Sequence, residues 1–408
     1  MAEEKPAPSS TQVVLRHGAP RATAPLHYHR ADPTPFFQCM DGPETVYAGP
    51  YSGRMVLVSV GDDPQERYWN LRQKVVLYNV PEHPIEIAGP DAERLLNKVF
   101  VRDITKLKPG RCGYGIACLP DGGILMDGIL MRVEADRFWY VLADGEIFTW
   151  LVAHGMGMDV TVSDPQSWVL QVGGPRSLEV LDAACDGGAP DPFAYFAVTE
   201  CTMGGQPLYL SRTGWTSEVG WEVYTRDPEV DGPALWNHIL EAGKAQEIIT
   251  TGLDSMNIRC IEAGILDNGS DFDTSMTPYQ AGIGKFVDMN KDDFIGKEAL
   301  AAADRRPLLF GIRCPTAAPS GVSPVTQGDT EVGTITTGAW SPYLGHGTGY
   351  VRFHEAGDWL GAAVSVSDVE GQMHVAEVVE LPFYDPEKRI SRGLDTAIPE
   401  GPLAVTQA

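Results

Sequence analysis

Residues 211–224 read SRTGWTSEVGWEVY, and the second half of this stretch alternates between two faces. Glu222 and Tyr224 fall on one face, and Trp221 and Val223 fall on the other, which is the period of two that predicts a β-strand. The residues before this strand include two glycines together with serine and threonine, a composition that is typical of a tight loop. A carboxylate on such a strand, between large aromatic side chains, needs a hydrogen-bonding partner. A hairpin with a surface glutamate is the plainer alternative.

A second isolated acid occurs in the run GGILMDGILM at residues 122–131, which follows a Pro-Asp-Gly-Gly turn signal. Asp127 is the only charged residue in this run, and a carboxylate there is unlikely to be buried without a partner or a purpose. The alternative is an aspartate that faces solvent or caps a bulge marked by Gly128.

The chain also contains an internal repeat. IEIAGP at residues 85–90 and LQVGGP at residues 170–175 each precede a helical pattern, at an offset of 85 residues. Each copy reads as strand, Gly-Pro turn and helix, followed by antiparallel hairpins. The pattern therefore predicts an α+β fold with two related halves and a pocket between them. We expect Asp127 and Glu222 to come from corresponding hairpins and to face one cleft.

Composition shifts and turn signals divide the rest of the chain. We predict an N-terminal arm with short β segments at 1–60, a first α+β half at 61–165 and a second half with linker helices at 166–305. A C-terminal β-barrel follows at 306–385, and residues 386–408 form a polar tail without a core pattern. Trp236 lies at helical spacing with Ile239 and Leu240, which favours a place in the core.

The composition excludes several classes of partner. The formal net charge is −24, which argues against nucleic acid and against an anionic membrane surface. Seven scattered cysteines without a C-x-x-C motif fit a reducing cytoplasm. There is no apolar run long enough to cross a membrane. His27 and His29 have no third ligand nearby in sequence, so no metal site is predicted.

The stretch at 211–224 resembles the folate-binding signature of the glycine-cleavage T-protein (aminomethyltransferase) superfamily, S-R-T-G-Y-T-G-E-x-G-[FY]-E-[IV]-Y. Residues 122–127 fit the superfamily pattern G-G-[IV]-x-x-D, and FIGKEAL at 294–300 fits its linker helix. The resemblance covers about residues 64–384. It implies a folate-binding core with a C-terminal barrel and tetrahydrofolate as the cofactor.

The resemblance also implies roles for single residues. Glu222 would hold the pterin ring of tetrahydrofolate, and Asp127 would be the catalytic carboxylate near its reactive nitrogens. Tyr195 and Phe196 stand where relatives carry an aromatic pair along the folate, although core filling explains them equally well. Arg259 is a further candidate for folate binding. Its spacing from Glu262 also allows a local salt bridge.

The methyl donor is less well defined by the sequence. Trp215, Tyr224 and Tyr114 are the aromatic candidates for holding a small-molecule donor. The chain departs from T-proteins at Met126, at Lys285 and in the segment NVPEH at 79–83, where those proteins usually read DVSHM. Together with GSDFD at 269–273, these departures are most similar to dimethylsulfoniopropionate demethylases.

We therefore predict an enzyme that transfers a methyl group from a small donor to tetrahydrofolate. The alternatives are an O-demethylase of methoxylated aromatic acids, a glycine-cleavage aminomethyltransferase and a non-catalytic folate-binding protein. A homodimer is compatible with the sequence.

Overall fold

The computed structural model describes residues 32–142, 145–226 and 228–403. The N-terminal arm up to residue 31, including His27 and His29, lies outside the described residues. The helices are α1 (Phe37–Met40), α2 (Pro64–Gln73), α3 (Ala92–Val99), α4 (Phe148–Gly155), α5 (Ser177–Ala184), α6 (Gly232–Ala242), α7 (Leu253–Glu262) and α8 (Lys297–Ala302).

Twenty β-strands are assigned within the described residues, and they form four sheets. In chain order the strands are β1 (Asp32–Pro33), β2 (Tyr47–Tyr51), β3 (Arg54–Ser59), β4 (Val76–Val80), β5 (His83–Ala88), β6 (Arg111–Cys118), β7 (Ile124–Arg132), β8 (Arg137–Leu142), β9 (Thr161–Ser163), β10 (Val169–Gly173), β11 (Val198–Met203), β12 (Gln206–Ser211), β13 (Gly220–Thr225), β14 (Ile249–Thr250), β15 (Leu309–Cys314), β16 (Ser323–Gln327), β17 (Thr330–Ser341), β18 (His346–Phe353), β19 (Ala363–Ser367) and β20 (Met373–Val379).

The predicted repeat is confirmed by two sheets in which four corresponding strands follow one another in the same order. The first sheet runs β6-β7-β8-β5-β9, and the second runs β11-β12-β13-β10-β4-β14. Helices α3 and α5, which follow the two repeat strands β5 and β10, begin and end at the same offset as the sequence motifs. The α+β fold with two related halves is therefore present.

The Gly-Pro turns of the repeat require glycine for two reasons. Gly89 and Gly174 adopt φ values of 130° and 122°, which favour glycine over residues with a side chain. A Cβ atom on Gly89 would lie 2.6 Å from the Asp159 carbonyl oxygen, and one on Gly174 would lie 2.3 Å from that of Lys74. Both turns bring two stretches of backbone together, so they fix how each strand enters its helix.

Two sequence-based expectations do not match the strand pairing. Strand β4 lies within the predicted first half, yet it pairs with β10 and β14 in the second sheet. Asp127 and Glu222 were expected on corresponding hairpins, but, counted from the repeat strands β5 and β10, β7 is the third strand of its repeat and β13 is the fourth. Pairing across long separations depends on the whole sheet and not on local pattern, so the sequence alone did not reveal either arrangement.

The inner faces of the two sheets pack against each other. Strand β13 places Trp221 and Val223 in the core beneath α5 and α6, while Tyr224 joins a second cluster with residues of the first sheet, as the alternation predicts. Ile129 packs on that same cluster, and it shares a face of β7 with Asp127 because the two lie two residues apart. Asp127 and Glu222 therefore lie on the facing surfaces of the two sheets.

The C-terminal domain is a closed six-stranded barrel, β15-β18-β17-β16-β19-β20, as predicted. It is attached to the core through α7. The Tyr350 hydroxyl lies 3.2, 2.9 and 3.0 Å from the carbonyl oxygens of Cys260, Ile261 and Ile265. Cys260 and Ile261 lie in the last turn of α7 and Ile265 lies just beyond it, so this one hydroxyl ties the end of the helix to the barrel.

The described part of the predicted tail is packed on the protein. Lys388 Nζ donates to Ser217 Oγ at 3.0 Å and to the Ala263 carbonyl oxygen at 2.7 Å. Gln73 Nε2 donates to the Pro399 carbonyl oxygen at 2.8 Å. Polar bonds rather than an apolar stripe hold this segment, which explains why it shows no core pattern in sequence. Within the described residues, no helix is long and apolar enough to cross a membrane.

Lys291 closes the end of α3 and provides a test of the fold. Its Nζ donates to the carbonyl oxygens of Asn97, Phe100 and Arg102 at 2.6, 2.6 and 2.9 Å. Burial lowers the pKa of Lys291 to about 8, so the ammonium remains charged at pH 7. It satisfies carbonyls that the helix cannot satisfy itself and lies at the negative end of the helix dipole.

We expect Lys291→Met to lower the free energy of unfolding by about 2–3 kcal/mol at pH 7, because three carbonyl oxygens, of which that of Phe100 is buried, lose a charged donor. Urea unfolding followed by circular dichroism measures this as a lower midpoint. The matched control is Lys244→Met, whose side chain is 70% exposed and whose midpoint should stay unchanged. Equal midpoints for the two variants would contradict the assigned role.

Candidate functional site

Asp127 lies on β7 with a residue exposure of 8%. Its Oδ2 accepts a hydrogen bond of 2.6 Å from the Tyr114 hydroxyl, and the Tyr114 ring packs 4.7 Å from that of Phe286. Its Oδ1 is buried and makes no hydrogen bond of normal geometry among the described residues, although the neighbouring Asn268 side chain lowers the pKa of this carboxyl. Tyr114, predicted to bind substrate, therefore orients Asp127 and leaves one carboxylate oxygen available to a ligand.

Several effects set the proton affinity of Asp127. Burial raises its pKa to about 6, the Tyr114 hydrogen bond opposes that rise, and the negative charge of Asp267 adds to it. At pH 7 this carboxylate is ionised, and its pKa lies close enough to the pH of the solution for it to accept a proton during a reaction.

Glu222 lies on β13 with an exposure of 3%. Its Oε2 accepts hydrogen bonds from the Thr213 hydroxyl and, at 2.7 Å, from the Tyr224 hydroxyl. Burial raises the pKa of Glu222, and the two hydroxyl donors counteract that rise. The expected partner of this carboxylate is thus present, which excludes a surface glutamate.

Aromatic side chains surround the space between the two sheets. Trp215 and Phe196 pack on the same inter-sheet cluster as Tyr224, and the Tyr195 ring lies 4.7 Å from that of Phe196. Burial raises the pKa of Tyr195, with a further contribution from the negative charge of Glu222. The structure therefore brings these four predicted aromatics together around Glu222.

Arg259 has a different position from the one expected for a folate contact. It is 1% exposed, its Nε donates to Glu218 Oε1 at 2.7 Å, and its Nη1 lies 3.8 Å from Glu262 Oε2. Arg72 Nε lies 2.8 Å from the same Glu218 oxygen. Arg259 is thus engaged in a buried ion-pair cluster that includes the local salt bridge, and a direct cofactor contact stays a prediction.

Sequence reasoning missed Tyr51, Glu82 and Asp267. The Tyr51 hydroxyl donates to Asp267 Oδ1 at 3.0 Å, and the Tyr51 ring lies 6.3 Å from that of Trp215. Burial, Asp267, Glu82 and Asp127 all raise the pKa of Tyr51, which places it among these acids. Tyr51 and Glu82 arrive from separate segments of the chain, and neither carries a local pattern that signals a site.

No group of three or more His, Cys, Asp or Glu side chains that could hold a metal ion occurs in the described ranges. The site consists instead of carboxylates, hydroxyls and aromatic rings. Such a lining can bind a flat donor array through Glu222 and accept a proton on Asp127, and it favours positive charge nearby.

Two protein families match this chain over most of its length. The GCVT N-terminal domain covers residues 51–291, and the glycine cleavage T-protein C-terminal barrel domain covers residues 308–385. Both the site and the barrel fall within these ranges.

Known relatives fall into more than one class of enzyme. An aminomethyltransferase of Streptomyces avermitilis is 32% identical over 343 residues, which cover 79% of this chain and 90% of that protein. The dimethylsulfoniopropionate demethylase DmdA of Ruegeria pomeroyi is also 32% identical, over 301 residues that cover 71% of this chain and 81% of that protein. The equal identity means that these relatives do not distinguish one methyl donor from another.

A solved structure supports the fold. The glycine cleavage system aminomethyltransferase T from Bartonella henselae superposes with a TM-score of 0.77 at 22% identity, over 86% of this chain and 98% of that one. With the family matches and the 32% identical relatives, these results identify the chain as a member of the glycine cleavage T-protein family, which comprises tetrahydrofolate-dependent one-carbon transferases.

Proposed function

We propose that the protein transfers a methyl group from a small donor to tetrahydrofolate, and that dimethylsulfoniopropionate is the best candidate donor. The observation that carries the proposal is the position of Asp127 and Glu222 on facing surfaces of two sheets, each buried and each held by a tyrosine hydroxyl. Two acids with different partners can take different roles in one reaction.

The residues present fit tetrahydrofolate. Glu222 offers a buried carboxylate to the N–H groups of a pterin edge, a charge-assisted arrangement. Two buried polar atoms, Asp127 Oδ1 and Gln171 Nε2, have no hydrogen-bond partner within the described structure. Unsatisfied buried groups of this kind are costly unless a ligand or water meets them. Tyr195 and Phe196 supply the aromatic surface for a flat ring.

The chain's own residues then account for the chemistry. Tetrahydrofolate supplies the nitrogen that accepts the methyl group. The carbon–sulfur bond of a sulfonium donor breaks with its electron pair remaining on sulfur, so the leaving group departs neutral and needs no acid. The accepting nitrogen must lose one proton, and we assign Asp127 as the group that receives it. In this proposal Glu222 and the aromatic side chains position the reactants, which is where most of the rate is gained in such a displacement.

The donor is identified by an anaerobic assay with tetrahydrofolate and a panel of dimethylsulfoniopropionate, glycine betaine, dimethylglycine and vanillate, with 5-methyltetrahydrofolate detected by mass. Product from dimethylsulfoniopropionate alone supports the proposal. Product from vanillate would assign O-demethylation, and folate binding without product from any donor would favour a binding protein. The homodimer expected from the sequence stays a prediction.

We expect Asp127→Asn to lower kcat by about 10²- to 10⁴-fold, because the proton acceptor is removed. The dissociation constant for tetrahydrofolate should change by less than about threefold, since that ring is held by Glu222. Steady-state kinetics and calorimetry measure the two effects separately. Glu134→Gln, whose side chain is 52% exposed, is the control, and normal turnover in the aspartate variant would remove the catalytic assignment.

The pH dependence provides an independent prediction. The pKa of Asp127 is raised to about 6, so the ionised form dominates above pH 6 and disappears as pH falls. We expect kcat/KM to be constant near pH 8 and to fall tenfold per unit below pH 6. A sulfonium donor is suited to this profile, because its positive charge does not titrate. A profile of Asp127→Asn that kept the same acidic limb would assign it to another group.

Glu222→Gln should weaken tetrahydrofolate binding by about 10- to 100-fold, because a charged acceptor is replaced by a neutral one. At saturating tetrahydrofolate, kcat should recover to within about threefold of the unmodified protein. Isothermal titration calorimetry gives the affinity. Glu200→Gln is the control, since its side chain is 61% exposed and it removes one charge from the same half. Unchanged affinity in Glu222→Gln would show that the pterin edge binds elsewhere.

A further inference from the structure

Glu82 lies at the short link between the two sheets. It follows β4 of the second sheet and precedes β5 of the first. Its backbone is fixed, because Arg54 Nη1 donates to the Glu82 carbonyl oxygen at 2.8 Å and Arg54 Nη2 donates to that of Ser167 at 2.6 Å. The Arg54 guanidinium also lies 4.3 Å from the centre of the Trp168 ring. The loop that carries Glu82 is therefore anchored beside the site.

The Glu82 side chain shares a single hydroxyl proton with Glu222. The Tyr224 hydroxyl lies 2.7 Å from Glu222 Oε2 and 3.4 Å from Glu82 Oε2. One hydroxyl has one proton to donate, and the shorter distance gives it to Glu222. Within the described ranges, that hydroxyl is the one hydrogen-bond donor near the Glu82 carboxylate. Burial and the charge of Glu222 both raise the pKa of Glu82.

Glu82 and Asp127 both lie close enough to Tyr51 for their charges to raise its pKa. The Tyr51 ring neighbours that of Trp215. Arg54, the nearest cation, is committed to two carbonyl oxygens and a ring face. Asp127 Oδ1, buried and without a hydrogen-bond partner among the described residues, independently indicates a ligand at this place.

We propose that Glu82 is the counter-ion for a positively charged methyl donor, an onium centre on sulfur or nitrogen held between this carboxylate and the rings of Tyr51 and Trp215. The inference rests on the proposed function and deepens it by naming the residue that holds the positive charge of the donor. Carboxylates that meet in a low-dielectric space repel one another, and a cation among them relieves that repulsion. The two rings present negative faces to the same charge. A neutral methoxy group would gain neither effect.

The test compares Glu82→Gln with Glu82→Asp in the full-length chain. Binding of three probes is measured by calorimetry: trimethylsulfonium, choline, and 3,3-dimethylbutan-1-ol, which has the shape of choline without its charge. We expect the unmodified protein to prefer choline over the neutral probe by at least tenfold. Glu82→Gln should abolish that preference, and Glu82→Asp should retain most of it. Glu200→Gln controls for the loss of one charge, and tetrahydrofolate affinity verifies that each variant is folded.

Kinetics separates this inference from the proposed function. With the active donor, Glu82→Gln should raise KM for that donor at least tenfold and change kcat by less than threefold. Methyl transfer with an unchanged KM in Glu82→Gln would overturn the role of Glu82 and leave the function intact. Charge-dependent probe binding lost in Glu82→Gln, without methyl transfer from any donor, would reject the function and keep the cation site. Equal binding of choline and its neutral analogue by the unmodified protein would overturn the inference.

Discussion

Two arginines and two glutamates, all but excluded from solvent, join the parts of this protein that form the site. Arg72 on α2 and Arg259 on α7 share Glu218, which lies in the loop before β13, and both lie within 4 Å of Glu262. Removing one charged side chain from such a buried cluster leaves another buried charge without a partner, which strongly destabilises the protein. The position of the loop between β12 and β13, and with it Trp215, therefore depends on this balance of charges.

The same cluster links the core to the barrel and to the tail. Glu262 accepts hydrogen bonds from Ser341 of the barrel and from Tyr68 of α2, and the Arg259 guanidinium lies 4.6 Å from the Tyr384 ring. Each charged side chain of this cluster is held by at least one other, so replacing any one of them would disturb the positions of the rest. The site that we propose for ligands lies instead on the inter-sheet side, where Asp127 Oδ1 makes no hydrogen bond among the described residues.

Much of the fold could be predicted from sequence, because its signals are local. The strand around Glu222, the repeated Gly-Pro turns and the barrel all depend on periodicity and turn chemistry within short windows. The pairing of β4 with β10 and the arrival of Tyr51 and Glu82 at the site depend on contacts between distant segments, which no window contains. Arg259 shows the converse case. Its place in the family motif predicted a contact with the folate, whereas in the structure its charge is balanced by Glu218 and Glu262.

The pairing of β4 with strands of the second sheet has a consequence for synthesis of the chain on the ribosome. This strand is made early, but its two neighbours in the sheet, β10 and β14, end at residues 173 and 250. The first sheet contains only strands from residues 83–163, whereas the second sheet cannot be completed until both partners of β4 have been made. Such non-local pairing slows folding, because the chain loses the entropy of closing a long loop before the contacts between the strands can stabilise it. Co-translational assembly of the site thus begins only after most of the core has been translated.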